Sequence, residues 1–268
     1  MSTPLFQFMM LMMMRSTLSS ATRVTLSRTG LLPEEGILQS IMNFAFGPKE
    51  VIIESEEEWN TKVKQLPQAF DGMKIIPTEE IRFEEILQAL KEKKIANLDL
   101  SEYVLSEENC LDLAEELKKN QTLTNLDVCP SENAPECARA IGAALETNST
   151  LKSLYLANSN IGSEGAKAIA KGLEKNLMLK EVSLGNNNIR SEGAKAIGDA
   201  LIENQSLQIL YLDGTNIGDD GAKSIAKGLE KNLMLKDIFL GMNFDISGET
   251  IAMIKKLLDR NKTPTRKI

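Results

Sequence analysis

Apolar positions in the second part of the chain alternate between two rhythms. Leu151, Leu154 and Leu156 are spaced for a short strand whose leucines enter one interior. Ala166, Ile169, Ala170 and Leu173 then recur at three and four residues, the period of a helix with one buried stripe. The turn Asn160-Ile161-Gly162 separates the two, and Ser163 followed by Glu164 predicts a capped helix start with an acid in its first turn. Lys171 and Lys175 fall near the helix end, where positive charge suits the dipole.

This strand–turn–helix unit repeats every 28 residues. The units beginning at Leu151 and Leu207 agree at 20 of 28 positions, and the unit at Leu179 lies between them. Weaker copies begin at Ile95 and Leu123, and a final altered copy begins at Leu235. Asn120, Asn148, Asn176, Asn204 and Asn232 mark one phase at the same interval. A single β-α unit cannot bury its own apolar face, so units stack and share a core. Helices are wider than strands, so the stack curves. The expected fold is an α/β solenoid, a curved horseshoe segment with a parallel sheet on the concave side and helices on the convex side. Gly165, Gly193 and Gly221 recur at helix starts and read as close-packing positions. In the last unit Phe244, Asp245 and Ile246 slip the register by a residue, and a helix from Ser247 to Arg260 is the expected C-terminal cap.

Two zones precede the repeats. In residues 34–94, Val51-Ile52-Ile53 predicts a strand, and Ser55 with Glu58 has capping-box spacing for a helix to about Leu66. Trp59 and Val63 would share one packed face of it. After the breakers Pro67, Asp71-Gly72 and Pro77, Thr78 is expected to cap a helix that turns Ile81, Ile86, Leu87 and Leu90 inward. This zone reads as an N-terminal extension and capping helix. Residues 1–33 hold no acid, three arginines (Arg15, Arg23 and Arg28) and many Ser and Thr, the composition of an organellar transit peptide with cleavage expected near Arg28, the alternative being a disordered leader. The apolar run Leu5–Met14 is too short to span a bilayer. Residues 95–262 form the repeat domain and 263–268 a basic tail.

Charge follows the same division. The chain of 268 residues has 31 basic and 38 acidic side chains, a net −7. Residues 1–33 carry +3, so residues 34–268 carry −10. An acidic body argues against nucleic acid as a partner. The chain has no histidine, which excludes histidine-based triads, histidine acid–base chemistry and Cys₂His₂ zinc sites. Cys110, Cys129 and Cys137 show no CxxC and read as small core residues in a reducing compartment rather than a disulfide framework. There is no P-loop, and no cofactor or metal is expected.

The frame LxxLxLxxNxI followed by G-A-K-A-I-A-x-x-L resembles the ribonuclease-inhibitor type of leucine-rich repeat over about residues 95–262. The resemblance implies that the frame's asparagines, Asn187 and Asn243, hydrogen-bond backbone between turns. Ser131, Ser159 and Thr215 replace them in other units, which implies an imperfect ladder. The unit at Leu123 carries CPSENAPECA at its turn, which implies a distorted loop.

The resemblance also places the variable strand positions on the concave surface as a partner-binding face. The middle positions of LxL are Asp99, Asp127, Tyr155, Ser183, Tyr211 and Phe239. Glu181 and Asp237 precede two of them, and Asp213 follows another. Asp99, Asp127, Tyr155, Glu181, Tyr211, Asp213, Asp237 and Phe239 are therefore the candidate binding residues, aromatic toward the C-terminus and acidic overall. Asp99 and Asp127 would sit about 5 Å apart on adjacent strands, yet a flat open sheet lacks the cleft that paired-acid catalysis needs. The expected function is a non-catalytic interaction scaffold, a subunit or assembly factor of a mitochondrial or other organellar complex. The alternative is a cytosolic regulator or inhibitor resembling the GTPase-activating, actin-capping or ribonuclease-inhibiting members of the repeat class.

Overall fold

A computed structural model describes residues 50–60, 63, 74–93, 95–130 and 134–263. The leader 1–33, its cleavage point, the breakers from Pro67 to Gly72, residues 131–133 of the turn CPSENAPECA and the end of the tail lie outside the described residues.

The alternating pattern yields one sheet. Its strands are β1 (Glu50–Ile53), β2 (Lys74–Pro77), β3 (Asn97–Leu105), β4 (Asn125–Pro130), β5 (Ser153–Tyr155), β6 (Glu181–Ser183), β7 (Ile209–Tyr211) and β8 (Asp237–Phe239). All neighbours are parallel and run in sequence order from β1 to β8. The helices between and after them are α1 (Glu56–Glu58), α2 (Phe83–Lys91), α3 (Glu107–Leu117), α4 (Ala134–Leu145), α5 (Gly162–Lys175), α6 (Arg190–Glu203), α7 (Gly218–Lys231) and α8 (Gly248–Lys262). Each packs on its sequence neighbour from α2 to α8, giving a two-layer solenoid.

The core lies between the layers and is built by repetition. Leu151, Leu154 and Leu156 from strand and turn, and Ala166, Ile169 and Leu173 from α5, are fully buried, as are their counterparts in the next two units. Small residues let the helices approach. A Cβ at Gly165, Gly193 or Gly221 would fall 2.9 Å from the Cβ of Ala138, Ala166 or Ala194 in the preceding unit. Further along, a Cβ at Gly198 would strike the Ser224 carbonyl, and one at Gly228 the Gly198 carbonyl.

The amino-terminal zone joins this sheet. β1 pairs with β2 from Glu50–Lys74 to Ile53–Pro77, and β2 pairs with β3 at Lys74–Asn97 and Ile75–Leu98. Trp59 and Val63 are buried as their spacing predicts. Ser55 Oγ accepts from the Glu58 N–H, but α1 is three residues long and gives way to a wider π turn at Trp59.

Three local expectations are corrected. Thr78 does not cap α2; Arg82 occupies that position without a side-chain bond, because a turn from Thr78 to Ile81 intervenes. Ser163 is not the cap of α5. The helix enters through Ile161 and a left-handed Gly162 at φ +62, which carries Ser163 into the first turn, where its hydroxyl donates to the Ile189 carbonyl of the next unit. Cys110 and Cys137 are buried core residues, but their sulfurs form a disulfide with Cα atoms 5.5 Å apart. The 28-residue repeat sets α3 beside α4 and brings residues 27 apart face to face.

Two asparagine ladders link the units. Asn187 donates to the Leu156, Leu184 and Gly185 carbonyls and accepts from the Ser159 and Ile161 N–H groups. Asn243 repeats this with Leu212, Leu240 and Gly241 and with Thr215 and Ile217. Thr215 bonds the Leu212 carbonyl of its own unit instead of reaching back, so this ladder is interrupted as the substitutions imply. Asn120, Asn148, Asn176, Asn204 and Asn232 form the second ladder at the carboxy-terminal ends of the helices and are all buried. The last unit shows the predicted slip: Asn243 keeps its place 28 residues after Thr215, Ile246 lies 29 after Ile217, and Phe244 is extruded at 91% exposure. Ser247 caps α8 by accepting from the Thr250 N–H.

Candidate functional site

Strand register sets the concave face, because side chains alternate and the parallel strands stack equivalent residues. Asp99, Asp127, Tyr155, Ser183, Tyr211 and Phe239 are successive cross-strand neighbours from β3 to β8. Asn97, Asn125, Ser153, Glu181, Ile209 and Asp237 form the parallel row beside them. Seven of the eight candidate residues thus fall on one sheet face, and Asp213 follows β7 in the turn beyond it.

The amino-terminal part is an acid pair. Asp99 is buried; its carboxylate meets Lys74 Nζ at 2.6 Å and accepts from the Ser101 N–H. Burial raises its pKa, but the bonds from Lys74 and Ser101 outweigh that and leave it below the ordinary carboxylate value. Asp127, its register partner, has no such cation in contact among the described residues. Burial first, and then the Asp99 charge, push its pKa up to about 6 against the weaker pull of Lys74. Lys74 was not legible as a site residue, because only the pairing of β2 with β3 puts it there.

The middle is a carboxylate between phenols. Burial and the Glu181 charge raise Tyr155 to about 12, and the same two causes raise Tyr211. Both phenols therefore keep their protons at neutral pH, on the two strands that flank the strand of Glu181.

The carboxy-terminal part is aromatic. The rings of Tyr211 and Phe239 stack with centroids 4.6 Å apart and an interplanar angle of 7°. Phe239 is exposed at 43% on the last strand. Asp237 pairs with Lys262 of α8 at 2.6 Å, and Asp213 accepts from the Gly241 N–H at 2.8 Å. Among the described residues, Asp127, Glu181 and Asp213 have no basic side chain within ion-pair distance. Tyr103, the third tyrosine, is buried and donates to the Ile81 carbonyl.

The described residues contain no group of three or more His, Cys, Asp or Glu placed to hold a metal ion. No helix among them is long and apolar enough to cross a membrane.

A parallel sheet of strands in sequence order, backed by helices of a 28-residue repeat and tied by asparagine ladders, defines a leucine-rich-repeat protein. The leucine-rich-repeat family profile matches residues 147–170, 175–198 and 203–226, three consecutive units of the solenoid. Among solved structures, the chain is similar to one titled leiomodin-1 actin-binding site 2, at 28% identity and a TM-score of 0.51. That match covers 55% of this chain and 86% of the other. A tropomodulin C-terminal domain from Caenorhabditis elegans matches at 16% identity and a TM-score of 0.44, covering 58% and 92%. A Bacteroides fragilis protein matches at 11% identity and a TM-score of 0.41, covering 94% and 79%. No curated protein matches the sequence.

Proposed function

We propose that this protein is a non-catalytic interaction scaffold whose concave face grips a basic segment of a partner protein. One observation carries the reading: Glu181 is flanked by the phenols of Tyr155 and Tyr211, and Tyr211 stacks on an exposed Phe239. A carboxylate beside aromatic faces is the arrangement that holds a guanidinium or ammonium group by charge, hydrogen bond and cation–π attraction together. Asp127 and Asp213 extend the negative row to either side. The rigid sheet presents these groups with little ordering cost on binding.

The acid-free leader supports placing the scaffold in an organelle, with the mitochondrion as the first choice and a larger complex as its setting. Mass measurement of the native amino terminus tests this: a new terminus near Arg28 is expected, and an intact Met1 overturns it.

The concave face is tested by titrating the protein with an octa-arginine peptide at two salt concentrations. Tyr155→Ala, Tyr211→Ala and Phe239→Ala together should weaken binding at least tenfold while leaving the helical signal unchanged. Affinity equal to the native protein's would refute this face. The leiomodin-1 similarity favours one specific second reading, an actin-directed regulator. Co-sedimentation with filamentous actin that the triple variant loses would establish that reading; absence of co-sedimentation would remove it.

A further inference from the structure

The ladder at the carboxy-terminal ends of the helices coincides with a sequence signal of different meaning. N-x-S/T, the acceptor pattern for asparagine-linked glycosylation, occurs four times: Asn120-Gln121-Thr122, Asn148-Ser149-Thr150, Asn204-Gln205-Ser206 and Asn261-Lys262-Thr263. All four asparagines are rungs of one ladder.

The geometry explains the coincidence. Asn204 Nδ2 donates to the Leu173 carbonyl at 2.7 Å and to the Asn176 carbonyl at 3.0 Å. Its Oδ1 accepts from the Ser206 N–H at 3.0 Å and the Leu207 N–H at 2.8 Å. The hydroxyl of Ser206 adds a bond to the Asn176 carbonyl, so the residue two places on is part of the same rung. Asn148 and Thr150 repeat these bonds toward Leu117 and Asn120. Asn120 donates to the Leu90 carbonyl, and Asn261 closes the ladder on the Asn232 and Leu235 carbonyls. Asn176 and Asn232 make the same bonds with methionine two places on, so the rung needs the asparagine and only gains from the hydroxyl.

A glycan would be attached at the same Nδ2 atom. It would remove one of the two N–H donors, and Asn120, Asn148 and Asn204 are at most 5% exposed, so no path leads a sugar out. Each lost rung would leave buried carbonyls unpaired at a junction between units. Transfer of the glycan acts on nascent chain before burial, so folding could not protect these positions.

We propose that Asn120, Asn148 and Asn204 are structural rungs incompatible with an attached glycan, and that the chain matures only where nascent protein does not meet an oligosaccharyltransferase. This rests on the ladder alone and stands or falls independently of the concave-face reading.

The test routes the full chain through the secretory pathway behind a cleavable signal, with and without an inhibitor of lipid-linked oligosaccharide synthesis. Without inhibitor, glycosidase-sensitive mass at one or more of the four sites and an aggregated, retained product are expected. With inhibitor, the unmodified chain should be soluble and unfold at the temperature of bacterially produced protein. A glycosylated product with native unfolding temperature would overturn the proposal. So would a folded product left unmodified without inhibitor, or equal retention in both arms. Mass spectrometry of the native protein supplies a separate check: Asn120, Asn148 and Asn204 are expected bare, and a glycan on any of them overturns the inference.

Discussion

Replacing Asp127 by Asn should stabilise this protein at neutral pH, and the gain should vanish in acid. In the fold Asp127 lies beside Asp99 across β3 and β4, and its pKa is raised from 3.8 to about 6 by burial and by that neighbour. The folded state therefore binds this proton more tightly than the unfolded chain. Stability falls as pH climbs from about 4 through 6, the reverse of an ion-paired acid. A rise of about two pKa units corresponds to a ceiling of roughly 3 kcal/mol at pH 7. Partial exposure and solvent screening bring the expected cost to about 1–2 kcal/mol. Asn keeps the size of Asp without the charge, so Asp127→Asn should raise Tm by about 3–6 °C at pH 7. At pH 4.5, where most native Asp127 is already protonated, the gain should shrink to about a third. Thermal melts of both proteins at the two pH values measure this. An unchanged Tm at pH 7 would refute the electrostatic reasoning. An equal gain at both values would assign the effect to packing instead.

The ladders and the cysteine pair supply further predictions. Asn204→Ala removes two donated and two accepted bonds at a fully buried rung and should cost about 3–4 kcal/mol, at roughly 1 kcal/mol per bond. Gln205→Ala removes an exposed bond to the Ile202 carbonyl and should change stability by less than about 0.5 kcal/mol; similar urea midpoints for the two variants would contradict the distinction. The Cys110–Cys137 link closes a loop of separation 27 and should contribute about 3 kcal/mol in the oxidised protein. Thiol counting in denaturant should find one thiol, Cys129, before reduction and three after it. Three before reduction would show the pair is not joined.

How much was visible beforehand varied with the kind of residue. The leucines, the helix stripes and the rows Asp99–Phe239 and Asn97–Asp237 followed from phase alone, because parallel strands of equal repeats must align equal positions. The register slip at Phe244 was visible for the same reason. β1 and β2 were harder, since Val51–Ile53 and Ile75–Pro77 carry no leucine frame and no 28-residue spacing. Their place beside β3, and hence the Lys74 contact with Asp99, was not legible. Ser163 and Thr78 have the chemistry of caps, but α5 begins one residue before Ser163, at the left-handed Gly162, and the turn at Ile81 delays the start of α2 past Thr78. The phase of Asn120 through Asn232 stood out, while its task did not, because the bonded carbonyls lie 28 and 31 residues back.

The sequence by itself determined that units stack, in what order, and which side chains share a surface. A repeated apolar stripe can be covered only by its own copies, so periodicity is sufficient for the architecture. Tertiary structure alone decided which buried polar group meets which partner: Lys74 with Asp99, Ser163 with the Ile189 carbonyl, and Cys110 with Cys137. Those choices depend on ångström-scale distances between neighbouring units. A hydrogen bond or a sulfur bridge forms or fails within such distances, and the repeat period brings residues near one another without fixing them to that precision.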